Sequence, residues 1–147
     1  MPIIEWSADL SVGHPDVDLQ HQHLISQINQ LHTVLRAPDP LPEVAQVLTA
    51  LRGYVVYHFA TEERLMAASG YPDADSHRQS HHWLGEQVHA MVRDFTERPS
   101  SVSAVELFEF LSDWLIHHIR GEDLAMRPWL AALAVAQAAP APAVARA

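Results

Sequence analysis

A histidine and a glutamate occupy positions of this sequence where apolar side chains are expected. In the stretch HFATEERLM, which reads as helix, His58 and Glu62 continue a series of apolar residues spaced alternately by four and three. A series with this spacing lies along the buried face of a helix in a bundle. Because burying an unpaired carboxylate costs several kcal/mol, Glu62 requires a partner there.

Histidines occupy buried series in three further segments. His21 lies in the first segment, His77 and His81 in the third, and His118 in the fourth. A histidine pair at spacing i,i+4 can grip one metal ion, but a chain with eleven histidines is expected to contain such a pair by chance. A single buried histidine is more often a satisfied core residue than a ligand. Their shared position in stripes that most polar side chains avoid is what indicates a metal site.

Four amphipathic helical patterns carry these residues. Their buried series span Val17–Leu35, Val44–Leu65, His77–Phe95 and Ala104–His118. The prolines of APDPLP separate the first two helices, and Gly70 is placed to cap the second. With no strand-like alternation and no long repeat, the sequence predicts an all-α protein, an antiparallel up-down four-helix bundle with an N-terminal arm and a short C-terminal helix or tail.

The bundle brings the polar members of the four series to one end. In an antiparallel bundle the first and third helices run opposite to the second and fourth. The polar residues lie early in the first and third helices and late in the second and fourth. A metal cluster satisfies such a group inside an apolar core. A hydrogen-bond network of five histidines and one carboxylate would be an unusual alternative.

Helical phase distinguishes histidines that are adjacent in the chain. His118 lies nearly opposite the polar side of the fourth helix, whereas His117 lies near the edge of that side. By the same phase, His81 points inward and His82 points to the flank. The remaining histidines hold no position in a buried series and are predicted to be solvated: His14, His23, His32 and His89.

Length and composition narrow the class of protein. The 147 residues fit one domain, which we expect over residues 1–133, with residues 1–16 as an arm containing Trp6. Residues 128–138 could form a short fifth helix, and the Ala/Pro-rich residues 134–147 are expected to be a disordered tail. The absence of cysteine excludes disulfides, thiolate metal sites and cysteine nucleophiles.

Charge and hydropathy set expectations about partners and location. The formal net charge of -9 disfavours nucleic acid and anionic membrane surfaces as partners. The N-terminus has no basic start followed by a long apolar run, so we expect no secretion signal. Since the longest apolar run near the end is too short to span a bilayer, we expect a cytoplasmic protein without membrane insertion.

Four motifs resemble those of the hemerythrin family, and of bacteriohemerythrins in particular. They are VDLQHQHL, HFATEERLM, HRQSH and WLIHHIRGED, and the resemblance extends from residue 6 to about residue 125. The family pattern has seven metal ligands, which match residues of the same type here: His21, His58, Glu62, His77, His81, His118 and Asp123. Asp123 is off the helical face of His118, but Gly121 would permit the chain to turn there.

The resemblance implies reversible dioxygen binding at a non-haem di-iron centre, for oxygen storage, transport or delivery. It implies two iron ions per chain, joined by an oxo or hydroxo bridge. Glu62 and Asp123 would be bridging ligands. Three histidines would bind one iron and two the other, so that the coordination count leaves an open position on the second iron. Dioxygen and an oxygen-consuming protein are the expected partners, and we expect a monomer.

The residues around the site favour binding over catalysis. Leu24, Leu84 and Leu115 are predicted to line the oxygen pocket, with Leu84 at a position where the family often has phenylalanine. The adjoining buried series offer no tyrosine, serine or further carboxylate that could act as a general acid or base. We therefore expect that the protein is not an enzyme. Two alternatives stay open, an oxygen or redox sensor and a di-iron enzyme that removes peroxide or nitric oxide. Ligand type alone also admits zinc or manganese.

Overall fold

The computed structural model describes residues 4–101 and 103–139. All the regular secondary structure in this part of the chain is helical. The long helices are α1 (Pro15–Val34), α2 (Leu41–Ser69), α3 (Ala74–Glu97) and α4 (Ala104–His118), followed by the shorter α5 (Arg127–Ala138). Helix α1 packs against α2 and α4, and α2 also packs against α3. The predicted all-α helical bundle is confirmed.

Local signals in the sequence set the ends of these helices. Helix α1 begins after His14, whose Nδ1 accepts a hydrogen bond from the backbone N–H of Asp16 at 3.2 Å. Helix α2 ends at Gly70, which adopts a left-handed conformation with φ of 72°, as predicted for a glycine cap. Helix α4 begins after Ser103, whose hydroxyl accepts a hydrogen bond from the backbone N–H of Glu106 at 3.3 Å.

The predicted buried series form the core of the bundle. Most of their apolar members, from all four helices, belong to one cluster that includes Leu24, Leu51 and Leu111. Fully burying each leucine stabilises the fold by about 1.5–3 kcal/mol before side-chain entropy is counted. Three predicted core residues are only half-buried: Leu35, which follows the last residue of α1, Ala104, which is the first residue of α4, and Met91.

The N-terminal arm is fastened to α1. The backbone N–H of Ile4 donates to Asn29 Oδ1 at 3.1 Å, and Asn29 Nδ2 donates to the carbonyl of Ile4 at 2.8 Å. Trp6 packs against the main core cluster. These contacts hold the arm along the bundle surface.

Helix α5 covers the end of the bundle near residues 65–71. A second apolar cluster forms there, with Val17, Met66 and Leu130 among its members. The helix spans Arg127–Ala138, which confirms the short fifth helix predicted over residues 128–138. Residues 134–138 are therefore helical, and their assignment to a disordered tail is wrong. Their alanine-rich sequence favours helix, which explains the difference. The rest of the tail, residues 140–147, lies outside the described residues. None of the helices in the described part of the chain is long and apolar enough to cross a membrane.

The prediction that His14 is solvated is wrong. Its exposed fraction is 2%, and its Nε2 lies 2.7 Å from Oε1 of Gln137 on α5. The adjacent Gly13 has φ of 80°, and a Cβ on it would lie 2.7 Å from Cβ of Ala131. His14 precedes helix α1, so helical phase carried no information about its burial.

Candidate metal centre

Seven buried polar side chains converge from all four long helices and the turn after α4. His21 comes from α1, His58 and Glu62 from α2, His77 and His81 from α3, His118 from the last residue of α4, and Asp123 from the following turn. Each is at most 6% exposed. All the sequence-predicted ligand candidates are therefore at one depth of the core.

The turn that carries Asp123 departs from α-helical geometry. Residues Ile119–Asp123 form a π-helical turn that continues α4. Each ring closed by a backbone hydrogen bond contains one more residue there than in an α-helix. In such a turn, residues five apart come to share a face, and Asp123 is five residues after His118. The expectation that Gly121 would let the chain turn is wrong, because the glycines with positive φ in the described residues are Gly13 and Gly70.

The carboxylate of Glu62 lies between two groups of histidines. Its Oε1 is 2.9 Å from His58 Nε2 and 3.1 Å from His21 Nε2. Its Oε2 is 2.9 Å from His81 Nε2 and 3.3 Å from His77 Nε2. Each oxygen of Glu62 therefore faces a different group.

Asp123 divides its oxygens in the same way. Its Oδ2 is 3.0 Å from His21 Nε2, whereas its Oδ1 is 3.1 Å from both His77 Nε2 and His118 Nε2. Taken by donor atoms within 4.8 Å of one another, the residues form two sets. The three-histidine group comprises Glu62, His77, His81, His118 and Asp123, and the two-histidine group comprises His21, His58, Glu62 and Asp123.

The donor atoms fit a pair of metal ions better than a hydrogen-bond network. His81 Nε2, His118 Nε2 and both oxygens of Asp123 are buried without a hydrogen-bond partner of acceptable geometry, which is rare in proteins. Adjacent ligands of an octahedral ion with bonds of about 2.1 Å lie about 3.0 Å apart, close to the spacing found here. Imidazole nitrogen and carboxylate oxygen are donors suited to iron, zinc and manganese.

The carboxylates stay ionised although they are completely buried. Burial raises the pKa of Glu62, but the charge of His58 and the hydrogen bonds from three histidines outweigh it and hold the pKa well below its usual value. Burial and the charge of Glu62 raise the pKa of Asp123, and the neighbouring His118 and His21 reverse that effect and lower it. The site is therefore a concentrated pair of negative charges that attracts cations.

Three histidines of the site have raised pKa values: His21, His77 and His118. Burial lowers the pKa of His21, but the neighbouring carboxylates of Asp123 and Glu62 raise it to about 9. Burial opposes the charge of His118 in the same way, and the charge of Asp123 raises its pKa to about 10. Since metal ligands must be deprotonated, a bound cation would take the place of protons on these histidines.

Sequence reasoning missed the residues that support the outer edges of the histidines. Gln20 Oε1 lies 2.9 Å from His58 Nδ1, and Glu122 Oε2 lies 2.8 Å from His118 Nδ1. Phe59 stacks on His81 with ring centroids 3.9 Å apart. The i,i+4 spacing of His118 and Glu122 is a signal that the sequence contains. The contact between Gln20 and His58 joins two helices, so no spacing in the sequence indicates it.

The predicted pocket residues are all in the core. Leu24, Leu84 and Leu115 are buried in the main cluster, and Leu84 also lines an open surface pocket of about 530 Å³ that reaches His118. His118 is buried and His117 exposed, as the helical phase predicts. The same holds for His81 and His82.

The fold and the paired histidine–carboxylate groups define a helical-bundle protein with a candidate dinuclear metal centre. Residues 12–130 match the hemerythrin HHE cation binding domain, and the chain belongs to the hemerythrin family. It is 35% identical over 125 residues to the bacteriohemerythrin of Stenotrophomonas maltophilia, covering 85% of this chain and 80% of that protein. It is 30% identical over 133 residues to that of Methylococcus capsulatus, covering 90% of this chain and 100% of that one.

Solved structures agree with this assignment. The crystal structure of wild-type hemerythrin superposes with a TM-score of 0.80 at 28% identity, covering 88% of this chain and 98% of that chain. A leucine-to-alanine mutant of hemerythrin gives a TM-score of 0.81, covering 89% of this chain and 99% of that chain.

Proposed function

We propose that this chain binds dioxygen reversibly at a centre of two iron ions, for oxygen storage or delivery to an oxygen-consuming protein. The observation that carries the proposal is the division of the oxygens of Glu62 and Asp123 between the two histidine groups. A site for a single metal ion does not require two carboxylates that each direct their two oxygens to different histidine groups. Two metal ions would account for it, with Glu62 and Asp123 among the residues that hold both.

The two groups offer unequal numbers of donors. The three-histidine group supplies five protein donors and the two-histidine group supplies four. Because octahedral ions take six donors, the two-histidine group would have the more room for a small molecule, beside His21 and His58. Two ferrous ions held there would supply the coordination position and the two electrons that dioxygen binding needs.

The surrounding side chains would keep water away from that position. Leu24 is completely buried on α1, three residues after His21, and Leu115 is 1% exposed on α4, three residues before His118. In our proposal these leucines and Leu84 form the apolar wall of the oxygen site. An apolar lining that excludes water slows the loss of charged oxygen species, and so favours reversible binding.

The set of donor residues supports reversible oxygen binding rather than catalysis. Five of the seven donor residues are imidazoles, which are neutral ligands, whereas the di-iron bundles with Glu-x-x-His pairs are rich in carboxylates. The relatives named above are bacteriohemerythrins, members of a family whose typical property is di-iron oxygen binding.

A reversible visible spectrum would test the proposal. The protein is loaded anaerobically with ferrous iron, its iron content is measured, and spectra are recorded before air, in air and after argon. We expect two irons per chain and a charge-transfer band that appears in air and disappears under argon. Zinc-loaded protein is the control, since zinc has no redox chemistry and should show no band. An irreversible change accompanied by product formation would indicate an enzyme instead.

A further inference from the structure

Glu122 contacts the side of His118 that faces away from the candidate metal centre. Its Oε2 lies 2.8 Å from His118 Nδ1, while His118 Nε2 lies 3.1 Å from Asp123 Oδ1. One nitrogen of the ring is thus directed to the centre, and the other is within hydrogen-bonding distance of a carboxylate. The residues that hold His118 by its two edges are adjacent in the chain.

A second helix fixes the position of Glu122. The hydroxyl of Ser80, on α3, donates a hydrogen bond to Glu122 Oε1 at 2.7 Å. Glu122 Oε1 therefore has a hydrogen-bond partner on α3, and Oε2 has an ion-pair contact on α4. The Glu122 side chain is 39% exposed and lines the surface pocket beside Ser80 and His118, so its replacement opens no internal cavity.

The two-histidine group has a neutral counterpart at the same place. His58 Nδ1 lies 2.9 Å from the amide oxygen of Gln20, and Gln20 Nε2 donates to Thr61 Oγ1 at 3.1 Å. Gln20 is 7% exposed, so this contact is shielded from water. The outer partner of His58 is thus an uncharged amide, whereas that of His118 is a carboxylate.

An acceptor on the outer nitrogen of a ligand histidine has two effects. It fixes the tautomer and the orientation of the ring, and it makes the inner nitrogen a stronger donor. A carboxylate acceptor strengthens the donor more than an amide does, because it stabilises positive charge on the ring and on the bound ion.

We propose that Glu122, held by Ser80, is a positioning residue that orients His118 and makes the three-histidine group the more electron-rich of two unequal metal positions. The inference rests on the proposed metal centre. Gln20 orients His58 without adding charge. The difference would favour the oxidised state of the ion held by His77, His81 and His118, and so would set the reduction potential of the pair.

Metal affinity tests the orienting role. Ferrous iron is titrated anaerobically into metal-free protein against a competing chelator, for the parent chain and for Glu122→Ala, Glu122→Gln and Glu86→Gln. We expect Glu122→Ala to weaken the binding of one of the two ions by about 10–100-fold. Glu122→Gln should stay close to the parent, because its amide oxygen can still accept from His118. Glu86→Gln removes one charge from an exposed carboxylate that contacts His82, and should change nothing.

The reduction potential tests the effect of charge. Glu122→Gln should shift the midpoint potential of the iron-loaded protein to a more positive value, and Ser80→Ala should shift it less in the same direction. Glu86→Gln again serves as the control for loss of one surface charge.

The outcomes separate the two proposals. A parent chain that does not bind two irons overturns both the proposed function and this inference. A parent chain that binds two irons, with a Glu122→Gln potential equal to that of the parent, overturns only the electronic role of Glu122. Unchanged iron affinity in a folded Glu122→Ala overturns the orienting role. If circular dichroism shows that Glu122→Ala is unfolded, the potential of Glu122→Gln decides the inference.

Discussion

His21 Nε2 lies 3.0 Å from Oδ2 of Asp123, although the two residues belong to the first helix and to the turn after the fourth. The contact joins the two-histidine group to a carboxylate whose other oxygen faces the three-histidine group. Asp123 therefore connects the two histidine groups from the turn after α4, as Glu62 does from α2.

Replacing Asp123 by alanine should abolish the dinuclear character of the site. Both groups lose an oxygen donor at once, so we expect no more than one tightly bound iron per chain and no reversible band in air. Iron analysis after anaerobic loading and gel filtration measures this. Asp113→Asn, at an exposed position of α4, should keep two irons. Two irons in Asp123→Ala would show that Asp123 is not a required ligand.

Adjacent histidines should differ sharply in their effects. We expect His118→Ala to lose the oxygen-dependent band and much of the bound iron, while His117→Ala keeps both, because only His118 is buried at the centre. His81→Ala and His82→Ala should differ in the same way. The measurement is iron content and the visible spectrum of all four variants. Equal losses in His117→Ala and His118→Ala would contradict the assignment of His118.

Removing the metal should lower stability. A ligand that binds only the folded state at about 100 times its dissociation constant adds about 2.7 kcal/mol to the free energy of unfolding. We therefore expect a lower melting temperature for metal-free protein, and faster amide exchange at the helix ends near the centre than at the opposite end. The melting temperature should rise again when ferrous iron is returned anaerobically. An unchanged melting temperature on iron loading would mean that the ions do not stabilise the fold.

Truncating Leu115 should make the oxygen site wetter. Leu115→Ala should keep two irons and form the oxygen adduct, but its band should decay faster in air-saturated buffer, and stability should fall by about 2–5 kcal/mol. Leu115→Phe should restore slow decay. Leu48→Ala is the matched control, because Leu48 is as deeply buried as Leu115 but lies about 15 Å from His58 along α2. Equal decay in Leu115→Ala and Leu48→Ala would show that Leu115 serves packing alone.

The turn before α1 should tolerate no side chain at position 13. Gly13→Ala places a Cβ against Ala131 and imposes a positive φ on alanine, so we expect a loss of about 1–3 kcal/mol in the free energy of unfolding. Gly85→Ala should instead stabilise by about 0.5–1 kcal/mol, since Gly85 lies inside α3 with no atom within 4 Å of an added Cβ. Denaturant unfolding of both variants provides the comparison. A Gly13→Ala protein as stable as the parent would contradict the close approach of the arm to α5.

Periodicity revealed those site residues that lie in regular helix. The depth of His58 and Glu62 followed from the spacing of their apolar neighbours, because an α-helix keeps its phase over many turns. Asp123 was accessible only through family resemblance, since the π turn shifts the phase after His118. The mistaken role of Gly121 has the same origin.

Contacts between distant segments were beyond reach of periodicity. His14 is buried because Gln137, 123 residues later, lies against its ring. Gln20 lies beside His58 only when α1 and α2 are packed. Sequence spacing within one helix carries no record of such partners.

The π turn after α4 also decides which of two adjacent carboxylates enters the core. In an uninterrupted α-helix, Glu122 would occupy the face of His118, and Asp123 would point about 140° away from it. One additional residue in the hydrogen-bonded ring exchanges the two carboxylates, turning Asp123 inward and leaving Glu122 at the outer edge of His118. The exchange depends on this one turn alone, so a substitution that restored α-helical geometry there would turn Glu122 inward and Asp123 outward while the long helices of the bundle stay in place.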